Sequence, residues 1–346
     1  MDISPVPSPL EIKKRFPLSP AAHSFLLGAR ETARGIVSGK DTRKAFIMGP
    51  CSLHDKSSAL EYAKRFKQLS REVEATCFLI MRVYFEKSRT STGWKGLLYD
   101  PYLDGSQDMH TGLLWTRELL LMLAEWQVPM AAEFVDPLAA CYVEDLITWG
   151  FIGARTSASQ PHRQFASSMH FPIGFKNSTD GNLDDAIHGI AASAISHTFL
   201  SIDEEGRIAM KRSQGNPLTH IVLRGANEFT NFDAFSVSHT IDKLEKFHLP
   251  PRILIDCSHG NCQKQWIKQK EVFINVLEQL EGGNENICGL MLESHLQSGF
   301  QPLYEDTSSL KYAVSITDPC IDWPTTEALI QTAHQMLASR CYSSAR

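Results

Sequence analysis

The sequence has no excess of positive charge, no cysteine-rich stretch and no long uninterrupted apolar run. Each absence removes a class of protein. With 34 Lys and Arg against 39 Asp and Glu, the formal net charge is −5, which gives no footprint for nucleic acid or an anionic membrane. Eight cysteines in 346 residues are too sparse for a disulfide scaffold, so free thiols in a reducing, cytoplasmic compartment are expected. The opening MDISPVPSPLEIKKRF has no apolar core of signal-peptide type. The most apolar stretch, LLLMLAEWQVPMAAEF, is broken by Glu125 and Pro129, so no membrane span is expected. Neither G-x-G-x-x-G nor G-x-x-x-x-G-K-[ST] occurs, which removes the usual phosphate loops of an open doubly wound sheet.

What is present is an apolar fraction of 43%, enough to fill the core of one large domain or two ordinary ones. Much of it lies in eight short β-like runs with polar or Gly-containing tails. They are AFIMGPCS (45–52), FLIMRVYFEK (78–87), PMAAEFVD (129–136), FIGARTSASQ (151–160), PIGFKNSTDG (172–181), HIVLRG (220–225), ILIDCSHGN (253–261) and ICGLMLESH (287–295). Segments of helical composition separate most of them, among them SALEYAKRFKQLSREVEA (58–75) and QKEVFINVLEQLEG (269–282). Strand alternating with helix implies parallel strands. Eight such units are what an α/β protein of the (β/α)8 TIM-barrel class needs, at a usual size of roughly 250 residues. Residues 1–44 read as an N-terminal extension and 45–346 as the barrel. HTFLSIDEEGRIAMKRS, about 197–213, alternates on both sides of EEG and reads as an inserted β-hairpin.

In a parallel barrel all strand tails converge on one face. Two sets of side chains collect there. The first is basic: Arg82, Lys87, Arg89, Lys95, Arg155, Lys176 and Arg224. So many cations at one mouth are costly without anions between them, and Arg and Lys suit phosphate and carboxylate. The competing reading pairs each cation with Glu133, Asp136 or another local acid. The second set is Cys51, His259, Glu293 and Asp318, a mixed N/O/S group suited to a divalent first-row metal. Spacing does not decide for it, since a lone Cys51 is as readily a buried apolar thiol and His259 an ordinary hydrogen-bonded histidine. Cys257 and His259 form a rival local pair, and strand alternation sends both away from Asp256.

GPCSLHD, MRVYFEKSRTSTGWKG, GARTSASQPHR, PIGFKNSTDGN, HIVLRG, IDCSHGN, LMLESHL and SITDPCIDW stand in this order along nearly the whole chain. Together they resemble the type I 3-deoxy-D-arabino-heptulosonate-7-phosphate (DAHP) synthases of the phenylalanine/tyrosine-regulated group. The resemblance implies a transferase that condenses phosphoenolpyruvate with D-erythrose 4-phosphate, opening the shikimate route to aromatic amino acids. It implies one divalent metal ion (Mn2+, Fe2+, Co2+ or Zn2+) on Cys51, His259, Glu293 and Asp318. Phosphoenolpyruvate falls to Arg82, Lys87, Arg155, Lys176 and Arg224, and the aldose phosphate to Arg89 and Thr90. Lys87, His259 and Cys51 are the catalytic candidates, with Glu133 as a modulator. A homodimer or homotetramer is expected, with no nucleic acid and no membrane as partner.

The chain departs from the family pattern at several places. Ser88 replaces the proline of K-P-R-T, Ser178 the glycine of KNGTDG, and Ala158 a common acid. Losing the proline frees φ and adds an N–H to the aldehyde-side loop. Ser88 and Ser178 open an alternative, a synthase that takes another aldose or amino-sugar phosphate. In regulated relatives the extension and hairpin help form the effector pocket, so His170, Phe199 and Ser201 are the candidate effector residues for an aromatic amino acid. A subunit contact is the competing role for the hairpin.

Overall fold

All eight apolar runs become strands of one closed parallel barrel. The computed structural model describes residues 3–89, 92–304 and 306–343. Its strands are β1 (Lys44–Gly49), β2 (Cys77–Arg82), β3 (Met130–Glu133), β4 (Trp149–Ile152), β5 (Ile173–Lys176), β6 (Thr198–Ile202), β7 (Ile208–Arg212), β8 (Thr219–Leu223), β9 (Ile253–Asp256) and β10 (Ile287–Glu293). The barrel order is β1-β10-β9-β8-β5-β4-β3-β2, while β6 and β7 pair antiparallel as a separate hairpin. This is a (β/α)8 TIM barrel, and the hairpin lies where the sequence places it.

The helices are α1 (Pro9–Arg15), α2 (Pro20–Ser38), α3 (Lys56–Val73), α4 (Met109–Glu125), α5 (Pro137–Ala140), α6 (Gln160–Ser167), α7 (Asp184–Ser193), α8 (Ala234–Lys246), α9 (Gln269–Glu281) and α10 (Trp323–Ser343). Their starts follow local chemistry. The Asp55, Asp108, Asp136 and Asp233 carboxylates accept from first-turn amides, and Ser8 with Glu11 forms a capping box on α1. No helix among the described residues is long and apolar enough to cross a membrane.

Side chains alternate along each strand. Phe46, Met48, Leu79, Met81, Ile253, Ile255 and Leu292 face outward into the main core beneath the helices. Ala45, Ile47, Ile80, Ala131, Trp149, Val222, Leu254 and Met291 face inward and pack with Ala33, Ile36 and Val37 of α2. Phe78, Trp149 and Leu218, at or just before strand starts, join the same cluster. Helix α2 therefore closes the end where the strands begin. The α1 segment ties back to the hairpin, with Lys13 Nζ 2.9 Å from Glu204 and the Leu10 N–H donating to the Glu204 carbonyl.

Candidate active site

One step beyond the apolar inner layer, the inward positions turn charged. Arg82, Glu133, Lys176, Arg224, Asp256 and Glu293 stand two residues after Ile80, Ala131, Gly174, Val222, Leu254 and Met291. Arg82 Nη2 lies 3.1 Å from Glu293 Oε1, with both side chains buried. Lys176 Nζ lies 3.0 Å from Glu133 Oε2 and 3.5 Å from Asp256 Oδ2. Local acids thus answer Arg82 and Lys176, as the competing reading allowed. Asp136 takes no part in this, because its carboxylate caps α5.

Breaking such a buried pair leaves a bare charge, at about 3–5 kcal/mol. Burial opposes ionisation of Glu133, but Lys176 and Lys87 outweigh it and its pKa falls to about 2. Arg82 also stacks 3.9 Å from the centre of the Tyr84 ring, which Lys176 and Lys87 approach at 5.6 and 5.9 Å. Room at this level comes from glycine. A Cβ at Gly153 would sit 2.7 Å from the Glu133 carboxylate, and one at Gly49 would sit 2.9 Å from the Arg82 carbonyl oxygen.

Around the rim stand further guanidinium groups. Burial lowers the Arg224 pKa against the pull of Asp256, and the neighbouring Arg155 lowers it further. Two guanidinium groups that oppose each other's charge make a place for an anion. Arg155 is exposed, as is Arg89, whose charge helps hold Asp318 low. Thr90 lies outside the described residues.

Cys51 Sγ and one carboxylate oxygen each of Glu293 and Asp318 all lie within 4.8 Å of one another. Lys87 Nζ stands 3.0 Å from Cys51 Sγ and 3.9 Å from Asp318 Oδ2. Burial pushes the Cys51 thiol up to about 12, with Glu293 adding to the rise and Lys87 opposing it. Asp318 is exposed at the rim, and although the surrounding protein partly desolvates it, Lys87 and His259 bring its pKa down to about 2. One sulfur and two carboxylates are a donor set that a divalent first-row ion accepts, and the ion's charge favours the thiolate. These residues fit such an ion.

His259 stands at the edge of this group. Its Nε2 is 3.7 Å from Glu293 Oε1, while Nδ1 is 3.0 Å from Asp256 Oδ2 and 2.7 Å from Ser258 Oγ. This corrects the expectation that alternation carries His259 away from Asp256. Strand β9 ends at Asp256, and His259 has φ 54°, which turns its ring back over the strand end. Cys257 goes the other way into the main core, so the Cys257–His259 pair does not form a site.

Sequence reasoning passed over Asp256 as a partner and three buried asparagines. Arg224 N–H donates to Asn177 Oδ1, Gly225 N–H to Asn231 Oδ1, and Asn231 N–H to Asn261 Oδ1, at 2.7–2.9 Å. Asn261 Nδ2 donates to the Asp256 carbonyl. These bonds fix the tails of β5, β8 and β9 against one another, and with them Arg224. Strand parity was the available signal for Asp256; the asparagines offered none.

A cavity of about 330 Å3 lies under the hairpin. Phe199, Ser201 and Lys211 face it from the hairpin, opposite Cys141, Glu144 and Phe165. His170 does not line it; that residue is exposed and its carbonyl accepts from Arg34 at 3.4 Å.

Residues 16–331 match the model of the DAHP synthetase I family. The chain is 44% identical over 330 residues to a phospho-2-dehydro-3-deoxyheptonate aldolase of Escherichia coli (strain K12), named Tyr-sensitive, covering 95% of this chain and 92% of that one. It is 42% identical over 324 residues to the Trp-sensitive aldolase of the same strain, covering 94% and 92%. A solved phospho-2-dehydro-3-deoxyheptonate aldolase from Francisella tularensis SCHU S4 superposes with a TM-score of 0.95 at 36% identity, covering 98% of each chain. The chain belongs to the DAHP synthetase I family.

Proposed function

We propose that this protein is a 3-deoxy-7-phosphoheptulonate (DAHP) synthase, joining phosphoenolpyruvate and D-erythrose 4-phosphate into DAHP with release of phosphate. The observation that carries the reading is the meeting of Cys51, Glu293 and Asp318 at one point, with the Lys87 amine 3.0 Å from the sulfur, beside a ring of cations.

Arg82, Lys87, Arg155, Lys176 and Arg224 take the phosphate and carboxylate of phosphoenolpyruvate, and Arg89 with Thr90 the phosphate of the aldose. Holding two anionic reactants in bonding distance needs this counter-charge, fixed before they arrive. Cys51, His259, Glu293 and Asp318 would hold one divalent ion (Mn2+, Fe2+, Co2+ or Zn2+), which would supply Lewis acidity for the aldehyde oxygen. The methylene carbon of phosphoenolpyruvate bonds to the aldehyde carbon, and its C2 becomes electron-poor. Lys87, whose charge Cys51 and Asp318 sustain against burial, gives the new alkoxide its proton. Water adds at C2 and its released proton restores the Lys87 ammonium; the hemiketal then collapses to the ketone as phosphate leaves by C–O cleavage with the hydroxyl proton. Asp256 and the Ser258 hydroxyl together keep His259 turned so that Nε2 faces Glu293.

The Tyr-sensitive and Trp-sensitive names of relatives support an aromatic amino acid as regulator. Phe165 and Phe199 offer the cavity under the hairpin apolar faces, while Lys211 and Glu144 offer opposite charges for a zwitterion. The other hairpin face leaves Leu200, Ile208 and Met210 at 79%, 83% and 67% exposure; a second subunit covers it in a homodimer or homotetramer. We assign the protein to the cytoplasm, where its free thiols persist.

Product masses from a panel of aldehydes test the substrate. The DAHP mass is expected with erythrose 4-phosphate, at a kcat/KM above every other aldose or amino-sugar phosphate. Faster turnover of another would move the assignment to the alternative synthase.

A further inference from the structure

Glu86 precedes Lys87 and is 1% exposed. A carboxyl group that deep needs partners, and three donors converge on it. Tyr99 Oη donates to Oε1 at 3.1 Å, the Asp136 N–H to Oε1 and the Val135 N–H to Oε2, both at 3.3 Å. Val135 and Asp136 form the turn after β3. That turn is braced in its own right, because the Val135 carbonyl accepts from His162 Nε2 of α6 at 2.9 Å and Asp136 caps α5. On the other side, the main chain of Lys87 is tied to the Lys95 carbonyl, and its amine reaches Cys51.

We propose that Glu86 is a positioning residue for Lys87: its buried carboxyl clamps the tail of β2 to the Val135–Asp136 turn and so sets where the lysine amine stands over Cys51. Arrival at Cys51 depends on where the backbone of residue 87 lies. The clamp acts one residue before that point, while the Lys95 contact belongs to the same loop and gives no outside reference. The inference rests on Lys87 being a phosphoenolpyruvate contact.

The test uses metal-loaded enzyme carrying Glu86→Gln, which keeps the volume but sets an NH2 against converging donors, and Tyr99→Phe, which removes one donor only. In Glu86→Gln the KM for phosphoenolpyruvate is expected to rise about tenfold or more, with kcat reduced, since ångström misplacement of a contact costs on that order. The KM for erythrose 4-phosphate and the affinity for Mn2+ stay within about twofold, and Tm falls by no more than a few degrees for the donor left unpaired. Tyr99→Phe shifts the same constants in the same direction by less. Unchanged constants in a folded Glu86→Gln enzyme overturn the proposal. So does a rise confined to erythrose 4-phosphate, or a joint loss of both KM values, Mn2+ binding and Tm, which marks a merely structural group. Lys87→Ala run alongside separates the two claims: full turnover there removes the reading of Lys87 itself, whereas a dead Lys87→Ala with a normal Glu86→Gln removes only the clamp.

Discussion

Asp256 Oδ2 lies 3.0 Å from His259 Nδ1, and this contact leaves the Nε2 of His259 facing Glu293 at 3.7 Å. A carboxylate on the far ring nitrogen, here with the Ser258 hydroxyl that lies 2.7 Å from that nitrogen and donates to Asp256 Oδ1, fixes both tautomer and orientation of a metal-binding histidine. Asp256→Asn is therefore expected to lower Mn2+ affinity by about 10- to 100-fold. Lys176 keeps Glu133 as its partner in that variant, which limits the damage elsewhere. Calorimetric titration with Mn2+ checks this, and unchanged affinity would mean that Asp256 does not orient His259.

That contact marks where sequence reading reached and where it stopped. The strands were legible because each is a short apolar run closed by polar residues. Arg82, Lys176, Arg224 and Glu293 were legible because each falls at a strand tail, and parity extends the same logic to Glu133 and Asp256. His259 defeats parity: β9 has ended, and a left-handed residue reverses the direction that alternation assumes. Asn177, Asn231 and Asn261 act only where three loops from distant parts of the chain meet, which no local pattern encodes. The same holds for His170, whose nearness to β5 in sequence does not bring it to the cavity under the hairpin.

Lys87 carries a more drastic expectation. Replacing it by alanine removes the amine beside Cys51 but none of the three converging metal donors. Lys87→Ala should bind Mn2+ as the parent does and show no measurable turnover. Normal turnover would take Lys87 out of the mechanism.

Stability below neutral pH has a specific source at the closed end of the barrel. His220 is fully buried against Trp149, its Nδ1 faces the Leu218 carbonyl, and burial holds its pKa down to about 4 from 6.5. Above pH 6.5 the ring is neutral in the folded and unfolded chain alike. As pH falls from there, the unfolded chain takes the proton first, so stability declines until about pH 4, by about 3 kcal/mol in all. His220→Phe should flatten the fall in Tm between pH 6.5 and 4 relative to the parent. An unaltered slope would show that the ring titrates as an exposed histidine does.

Regulation is checked by rate. Phenylalanine, tyrosine or tryptophan at millimolar concentration should slow the enzyme, and Phe199→Ala should relieve that inhibition without lowering the uninhibited rate. If none of the three changes the rate, the cavity under the hairpin is not an effector site.

The central claim is that separate barrel walls bring a sulfur and two carboxylates to one cation, beside the charges that hold two phosphorylated reactants. The loss of phosphoenolpyruvate absorbance on adding erythrose 4-phosphate, with and without a chelator, measures it most directly. The expected loss requires the aldose, stops on chelation and returns with Mn2+. Loss that proceeds at full rate in the chelated enzyme, or no loss in the Mn2+-loaded enzyme, would contradict it.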